Sequence, residues 1–450
     1  MNSASNIHNL LYGFCPRSLR PFWDKVEASD IGSRMASGAF WSIGGALISR
    51  SLMLLASILV ARMLGRDLYG EYGMIRTTVN MFLVFAGFGL GMTATKHIAE
   101  YRVNDPERAG RIMAISGLFA LGTGTLVAVG MFVFAPWIAS HTINAPQLTG
   151  ELRIGAFILL LNALNGAQTG ALAGFEAFKV IAKVNLWVGL LSFPLLVGGA
   201  YWGGLRGAVW ALAANMIINW LINHIALRRV VAFTNIPFTT KGCLEEWPVL
   251  WKFSLPATLG GILVSPVLWA CSAMLVNQPG GYGQMGIFDA ANQWRLAILF
   301  IPTAVGQIVL PLLSNLNGVN DRDKYRKTLK YNALMNCGIS LVVAVPVIVL
   351  APIIMNSYGA GFEQGTMTLV LLSFSTILIA FNNVIGQAIA SKGKMWIGFV
   401  FNFLWAIALL SCSQYILNIG YGSYGLALAN LVAYIFHTFI QTIYWIRSEQ

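Results

Sequence analysis

The sequence predicts an all-α polytopic membrane protein, with about 12 transmembrane helices in two parallel six-helix lobes. Three observations predict it. Hydrophobic residues make up 57% of the 450-residue chain and charged residues only 10%, against roughly 25% charged in a soluble protein. The apolar residues gather into long runs, each near the roughly 20 residues that span a bilayer. A motif at the start of the second run returns at the start of the eighth, which implies an internal repeat.

Residues 1–35 carry Arg17, Arg20, Lys25 and Arg34 among acids and prolines. They lack the apolar region and small-residue cleavage site of a signal peptide and read as a cytoplasmic N-terminal segment. Apolar runs follow at about 37–63, 71–95, 112–135, 153–174, 181–203 and 206–227, and then at about 253–276, 285–314, 331–356, 366–390, 395–418 and 423–446. Spans 1–6 (36–227) form the expected N-lobe, 228–252 a cytoplasmic linker, spans 7–12 (253–446) the C-lobe and 447–450 a cytoplasmic C-terminus. The linker stretch Cys243 to Leu250, with Trp247, is amphipathic in part. It suits a helix on the membrane surface or a plain connection equally. The five cysteines (Cys15, Cys243, Cys271, Cys337 and Cys412) form no CxxC and imply no disulfide or zinc framework.

With the N-terminus inside, 22 of the 29 Lys and Arg fall on inside segments and 4 on the outside, as the positive-inside rule requires. The net charge of +12 is therefore mostly topology rather than a nucleic-acid surface. Three arginines remain within spans.

Tyr69-Gly70-Glu71-Tyr72-Gly73 aligns with Tyr282-Gly283-Gln284-Met285-Gly286 at an offset of 213 residues. Basic inside loops follow in both halves: Asp105-Pro106-Glu107-Arg108 and Asp321-Arg322-Asp323-Lys324. Six spans per half preserve orientation, so the repeat is parallel, about an axis along the membrane normal. Two such bundles can enclose a midplane site and rock around it.

A charge at the bilayer centre costs about 2.5–3.5 kcal/mol and usually faces a wet cavity or the bundle interior. Arg50 and Arg295 lie deep in spans one and eight and are the candidate cavity cations. Asn292 stands one turn before Arg295 on the same face. Arg76 and Asp289 are shallower and occupy equivalent repeat positions. A pair between them, spanning the lobes, would close an outer gate. Paired asparagines (Asn162/Asn165, Asn215/Asn219) read as interhelical hydrogen bonds. One intramembrane carboxylate against three arginines suits an anion, and the guanidinium fork suits phosphate. Asp321-Arg322-Asp323 has the DxD spacing of a metal–sugar-nucleotide site but reads as a solvated loop.

The run Leu59-Val60-Ala61-Arg62-Met63-Leu64-Gly65-Arg66-Asp67-Leu68-Tyr69-Gly70-Glu71-Tyr72-Gly73 resembles the ARxLGxxxYGxYG signature of bacterial polysaccharide flippases. These form the oligosaccharide (O-antigen and capsule) branch of the multidrug/oligosaccharidyl-lipid/polysaccharide exporter superfamily. Phe85 to Gly91, Ala99-Glu100-Tyr101 and Asp105 to Arg108 continue the match. The basic-residue count places both termini on the cytoplasmic side; the resemblance implies two six-helix lobes around a cationic cavity in the bacterial inner membrane. It implies no enzyme activity, and a substrate of undecaprenyl diphosphate bearing an oligosaccharide, bound at Arg50, Arg295 and Arg76. No cofactor or metal is expected, although the membrane potential or an ion could drive transport. The expected partners are the lipid-linked glycan, membrane lipids and polysaccharide assembly proteins, with no nucleic acid. Two alternatives remain open: a multidrug or cation antiporter of the same superfamily, and a membrane glycosyltransferase or polymerase. Against the second, the longest outside segment, about 136–152, offers only His141 and Glu151 as catalysts.

Overall fold

The computed structural model describes residues 30–234, 236–237, 239–250, 254, 262–318 and 321–449. Arg17, Arg20, Lys25 and Cys15, and most of the first part of expected span seven, lie outside the described residues. The described chain is helical, with no strand. The helices are α1 (Asp30–Gly87), α2 (Leu90–Tyr101), α3 (Pro106–Trp137), α4 (Thr149–Gly174), α5 (Phe178–Thr234) and α6 (Val264–Val276). They continue as α7 (Gly281–Ile298), α8 (Phe300–Gly318), α9 (Arg322–Val349), α10 (Thr366–Ser391), α11 (Met395–Asn418) and α12 (Gly422–Glu449). Among the described residues, eight helices are long and apolar enough to cross a membrane.

The two longest, α1 with 58 residues and α5 with 57, are each bent double at a glycine. Gly65 has φ 75° and Gly204 φ 54°, a region that glycine enters without steric cost. Ser57 Oγ lies 2.7 Å from Tyr69 OH, although 12 residues of straight helix would hold them roughly 18 Å apart. In α5, a Cβ on Gly207 would strike the carbonyl of Gly199. Each long helix is thus an antiparallel pair, which resolves the runs expected at 37–63 and 71–95 and at 181–203 and 206–227.

Among the described residues, three expected spans are not single helices. The second breaks at Phe88 and Gly89 (φ 41° and 63°) before α2 resumes it. The eighth breaks at Leu299, between α7 and α8. Pro302 cannot donate to the carbonyl of Ile298 and its ring crowds it, which favours a break there. Pro302 follows Gly89 by the repeat offset of 213 residues, so both halves interrupt the same helix at the same place by different residues. The ninth stops at Leu350, after which a separate short helix, Ala351–Ser357, begins.

The third span of each half starts alike. Asp105 Oδ1 accepts from the Arg108 amide at 3.0 Å, and Asp321 Oδ1 from the Lys324 amide at 3.1 Å. Both are N-caps. Lys324 Nζ also sits 2.8 Å from Asp321 and holds its carboxyl below the usual range. Asp321 of the DxD spacing is thus engaged in starting α9.

The linker packs onto the N-terminal half rather than standing free. Ile236, Cys243 and Leu250 are buried against it, and the carbonyl of Pro237 sits where a Cβ on Gly110 would be. Glu246 is 6% exposed. It accepts from Arg108 Nε at 3.1 Å and Arg111 Nη2 at 3.4 Å. Trp247 meets Phe119 edge-on at 5.5 Å. Helices α1 to α5 pack on one another, as do α6 to α12. The main helix contacts between these halves join α1 to α6 and α7.

Candidate functional site

The seam between the halves is tight at one end, where α1 bends and α7 begins. The two copies of the repeated motif meet there. A Cβ on Gly70 would strike the carbonyl of Tyr282, and one on Gly286 the carbonyl of Arg66. Small residues let helix backbones approach this closely in a membrane, where packing replaces the hydrophobic drive. An aromatic cluster seals the same end: Tyr69, Tyr358 and Phe362 are fully buried and in ring contact. Trp294 Nε1 donates to Tyr358 OH at 3.1 Å.

Hydrogen bonds cross the seam around these contacts. Arg62 Nε donates to the Ser357 carbonyl at 2.6 Å and Trp269 Nε1 to Thr78 Oγ1 at 3.0 Å. Asn277 Nδ2 donates to the Thr142 carbonyl at 2.8 Å and Tyr282 OH to the Ile143 carbonyl at 2.7 Å.

Arg76 and Asp289 face each other at this seam, with Nη1 and Oδ2 3.4 Å apart. Asp289 is 5% exposed. Arginine can only donate, so the amide oxygen of Gln293 turns to it and accepts from Nη2 at 2.8 Å and Nη1 at 3.0 Å. Positions 76 and 289 differ by the repeat offset.

Below the closed end the two deep arginines part company. Arg50 lies 15 residues before Gly65, roughly 22 Å along the helix. It is exposed, and its guanidinium lies 5.6 Å from the ring centre of Phe300 at the start of α8. Phe300 belongs to the other half, so Arg50 stands at the seam. Ser49 beside it packs against Gly189 of α5 and fixes the register of this stretch.

Arg295 lies 14 residues after Gly281, roughly 21 Å along α7 and at a similar depth. It is 6% exposed and turned into the C-terminal half, where Nη1 donates to Asn430 Oδ1 of α12 at 3.1 Å. No described contact brings it to Arg50. Asn292 is half-buried, and its Oδ1 has no hydrogen-bond partner among the described residues.

Trp269, Trp294, Tyr358 and Phe362 are seam residues that sequence reasoning passed over. Aromatic residues in an apolar run look the same whether they face lipid or a partner helix. Asn165 accepts from Asn223 Nδ2 at 2.7 Å, and Asn215 from Ser192 Oγ at 2.6 Å; these amides hold helices together. Among the described residues, no group of three His, Cys, Asp or Glu could hold a metal.

Comparison with known proteins places this architecture. Residues 35–317 match the polysaccharide biosynthesis protein family. The chain is 25% identical over 416 residues to the EPS I polysaccharide export inner membrane protein EpsE of Ralstonia nicotianae, covering 90% of this chain and 92% of that one. It is 26% identical over 302 residues to the lipid III flippase of Escherichia coli, covering 66% and 70%. Among solved structures, the inward-facing conformation of a multidrug resistance MATE family transporter of the MOP superfamily superposes with TM-score 0.71 at 15% identity, covering 90% and 97%. Lipid II flippase MurJ, in an inward closed conformation, superposes with TM-score 0.69 at 15% identity, covering 91% and 87%. At these identities the structures speak to the fold, and the family match speaks to kinship. The chain is a multi-pass membrane transporter and belongs to the polysaccharide biosynthesis protein family.

Proposed function

We propose that this protein is a flippase that moves an undecaprenyl-diphosphate-linked oligosaccharide across the bacterial inner membrane. The observation that carries the reading is Arg50, an exposed guanidinium at mid-helix depth on the seam between the halves, beside an aromatic ring of the opposite half. A diphosphate is the anion whose geometry a guanidinium fork matches. The glycan head needs a wet space, and the prenyl tail can trail in lipid along the seam.

Transport follows if two lobes, 36–227 and 253–446, rock about the seam. With the N-terminus cytoplasmic, as the 22-to-4 bias of basic residues supports, the closed end is the outer end. The Arg76–Asp289 pair is then the outer gate, and the described state is open inward. Opening outward would break that pair and separate the glycines. Arg295, enclosed in the C-terminal half, is left out of the substrate site in this reading.

A cation antiporter is less well supported. Such a carrier needs a free carboxylate in the membrane, and Asp289 is engaged by Arg76. The names of the relatives, a polysaccharide export protein and a lipid III flippase, point the same way. The test is genetic: delete the gene and measure undecaprenyl-linked glycan on the cytoplasmic face. The reading expects accumulation, relieved by the wild-type gene and not by Arg50→Ala. Absence of accumulation would refute the substrate class.

A further inference from the structure

The membrane interior of the C-terminal half holds a cation that no described carboxylate balances. Arg295 is 6% exposed, its Nη1 donates to Asn430 Oδ1 at 3.1 Å, and its Nε has no hydrogen-bond partner. Arginine keeps its proton in proteins, so neutralisation by deprotonation is closed to it. Because the guanidinium only donates, the Asn430 amide must present its oxygen to Arg295. Its Nδ2, on a side chain 1% exposed, is then left over as a second donor without an acceptor.

The surroundings repeat this imbalance. Trp405 of α11 is 2% exposed and its Nε1 also lacks an acceptor. Its ring lies 5.5 Å from that of Tyr434, which follows Asn430 by one turn of α12. Arg295 Nε, Asn430 Nδ2 and Trp405 Nε1 are therefore three buried N–H groups of α7, α12 and α11, one of them on a cation, that have no acceptor among the described residues.

Isolated donors could be met by water, but water leaves the charge in place. A buried uncompensated ion costs several kcal/mol even after relaxation. An anion satisfies the donors and the charge together. One guanidinium with neutral donors balances one negative charge, which selects a monovalent ion over a diphosphate. Enclosure among α7, α11 and α12 selects a small one.

We propose that Arg295 and Asn430 form an occluded site for a small monovalent anion of the halide class, inside the C-terminal half and separate from the seam that carries Arg50. The site does not depend on what the transporter carries.

The test uses the full-length protein in detergent at constant ionic strength, with gluconate as the reference anion and chloride or bromide titrated in. A ligand that binds only the folded state raises its melting temperature with ligand concentration. The expected result is a saturable rise with chloride and bromide. Arg295→Gln should lose that rise. Asn430→Asp should lose it too, while melting in gluconate no lower than wild type, because it gives the guanidinium a carboxylate; this variant keeps the test decisive if Arg295→Gln fails to fold. Arg50→Gln should retain the rise. The proposal is overturned if wild type shows no halide-specific rise, as it would if water alone fills the site. It is equally overturned if the rise survives in Asn430→Asp, or vanishes in Arg50→Gln, which would put the ion at the seam.

Discussion

Arg76 and Asp289 show what a single charged pair decides at the seam. With Asp289 almost fully hidden, removing one partner leaves the other without compensation, at a cost of about 3–5 kcal/mol for a fully buried pair. Arg76 is 27% exposed at the side chain, so the lower end applies. Asp289→Ala should lower the melting temperature and bias the transporter away from the state described here. The double variant Arg76→Asp, Asp289→Arg should recover most of the lost transport. If it recovers none, the pair is not what holds the gate. Arg50 calls for a different outcome. Arg50→Lys keeps the charge without the fork and should retain part of the flipping rate, whereas Arg50→Ala should lose at least about tenfold, the rate equivalent of 1.4 kcal/mol. The offset that put positions 76 and 289 in register could be read from the sequence. The direction in which Arg295 points could not. Depth along a helix follows from residue number, but the face a side chain presents follows from which helix packs there, here α12 with Asn430.

At the scale of elements, the seam is set by backbone proximity. Gly70→Ala would drive a methyl into the carbonyl of Tyr282 and force α1 from α7. Thr78, fully buried beneath that contact, should then become reactive as Thr78→Cys toward a membrane-impermeant maleimide added at the closed end. Equal labelling with and without Gly70→Ala would contradict this role. The linker predicts a milder effect. Glu246→Ala releases Arg108 and Arg111 and should lower stability by about 1–2 kcal/mol, because Arg108 is partly screened by solvent; thermal unfolding would measure it. Most helices were legible as apolar runs, and the repeated motif marked where the halves touch. The breaks at Phe88–Gly89 and Leu299 were not, because an apolar run reads the same through a kink. The docked linker was missed because Glu246 looks like any exposed acid until its two arginine partners are in place.

In the whole molecule, a closed glycine-packed end stands above a seam on which the Arg50 cation is exposed. If the cation stays fixed while a substrate of charge −2 leaves an inside-negative cell, a potential of 100 mV would contribute about 4–5 kcal/mol. Flipping should then speed up with imposed potential in proteoliposomes, and an unchanged rate would remove this driving force from the account. The all-helical polytopic class was legible in composition, since 57% apolar content leaves few other solutions. The sugar was not, because no described contact beyond the cation and the seam reads a glycan. The most direct test of the central claim is the initial flipping rate of undecaprenyl-diphosphate oligosaccharide in proteoliposomes, read as protection from an added glycan-degrading enzyme. The account predicts flipping by the wild type, slowed at least about tenfold in Arg50→Ala. Equal rates for the two proteins, or no flipping of this lipid by the wild type, would contradict it.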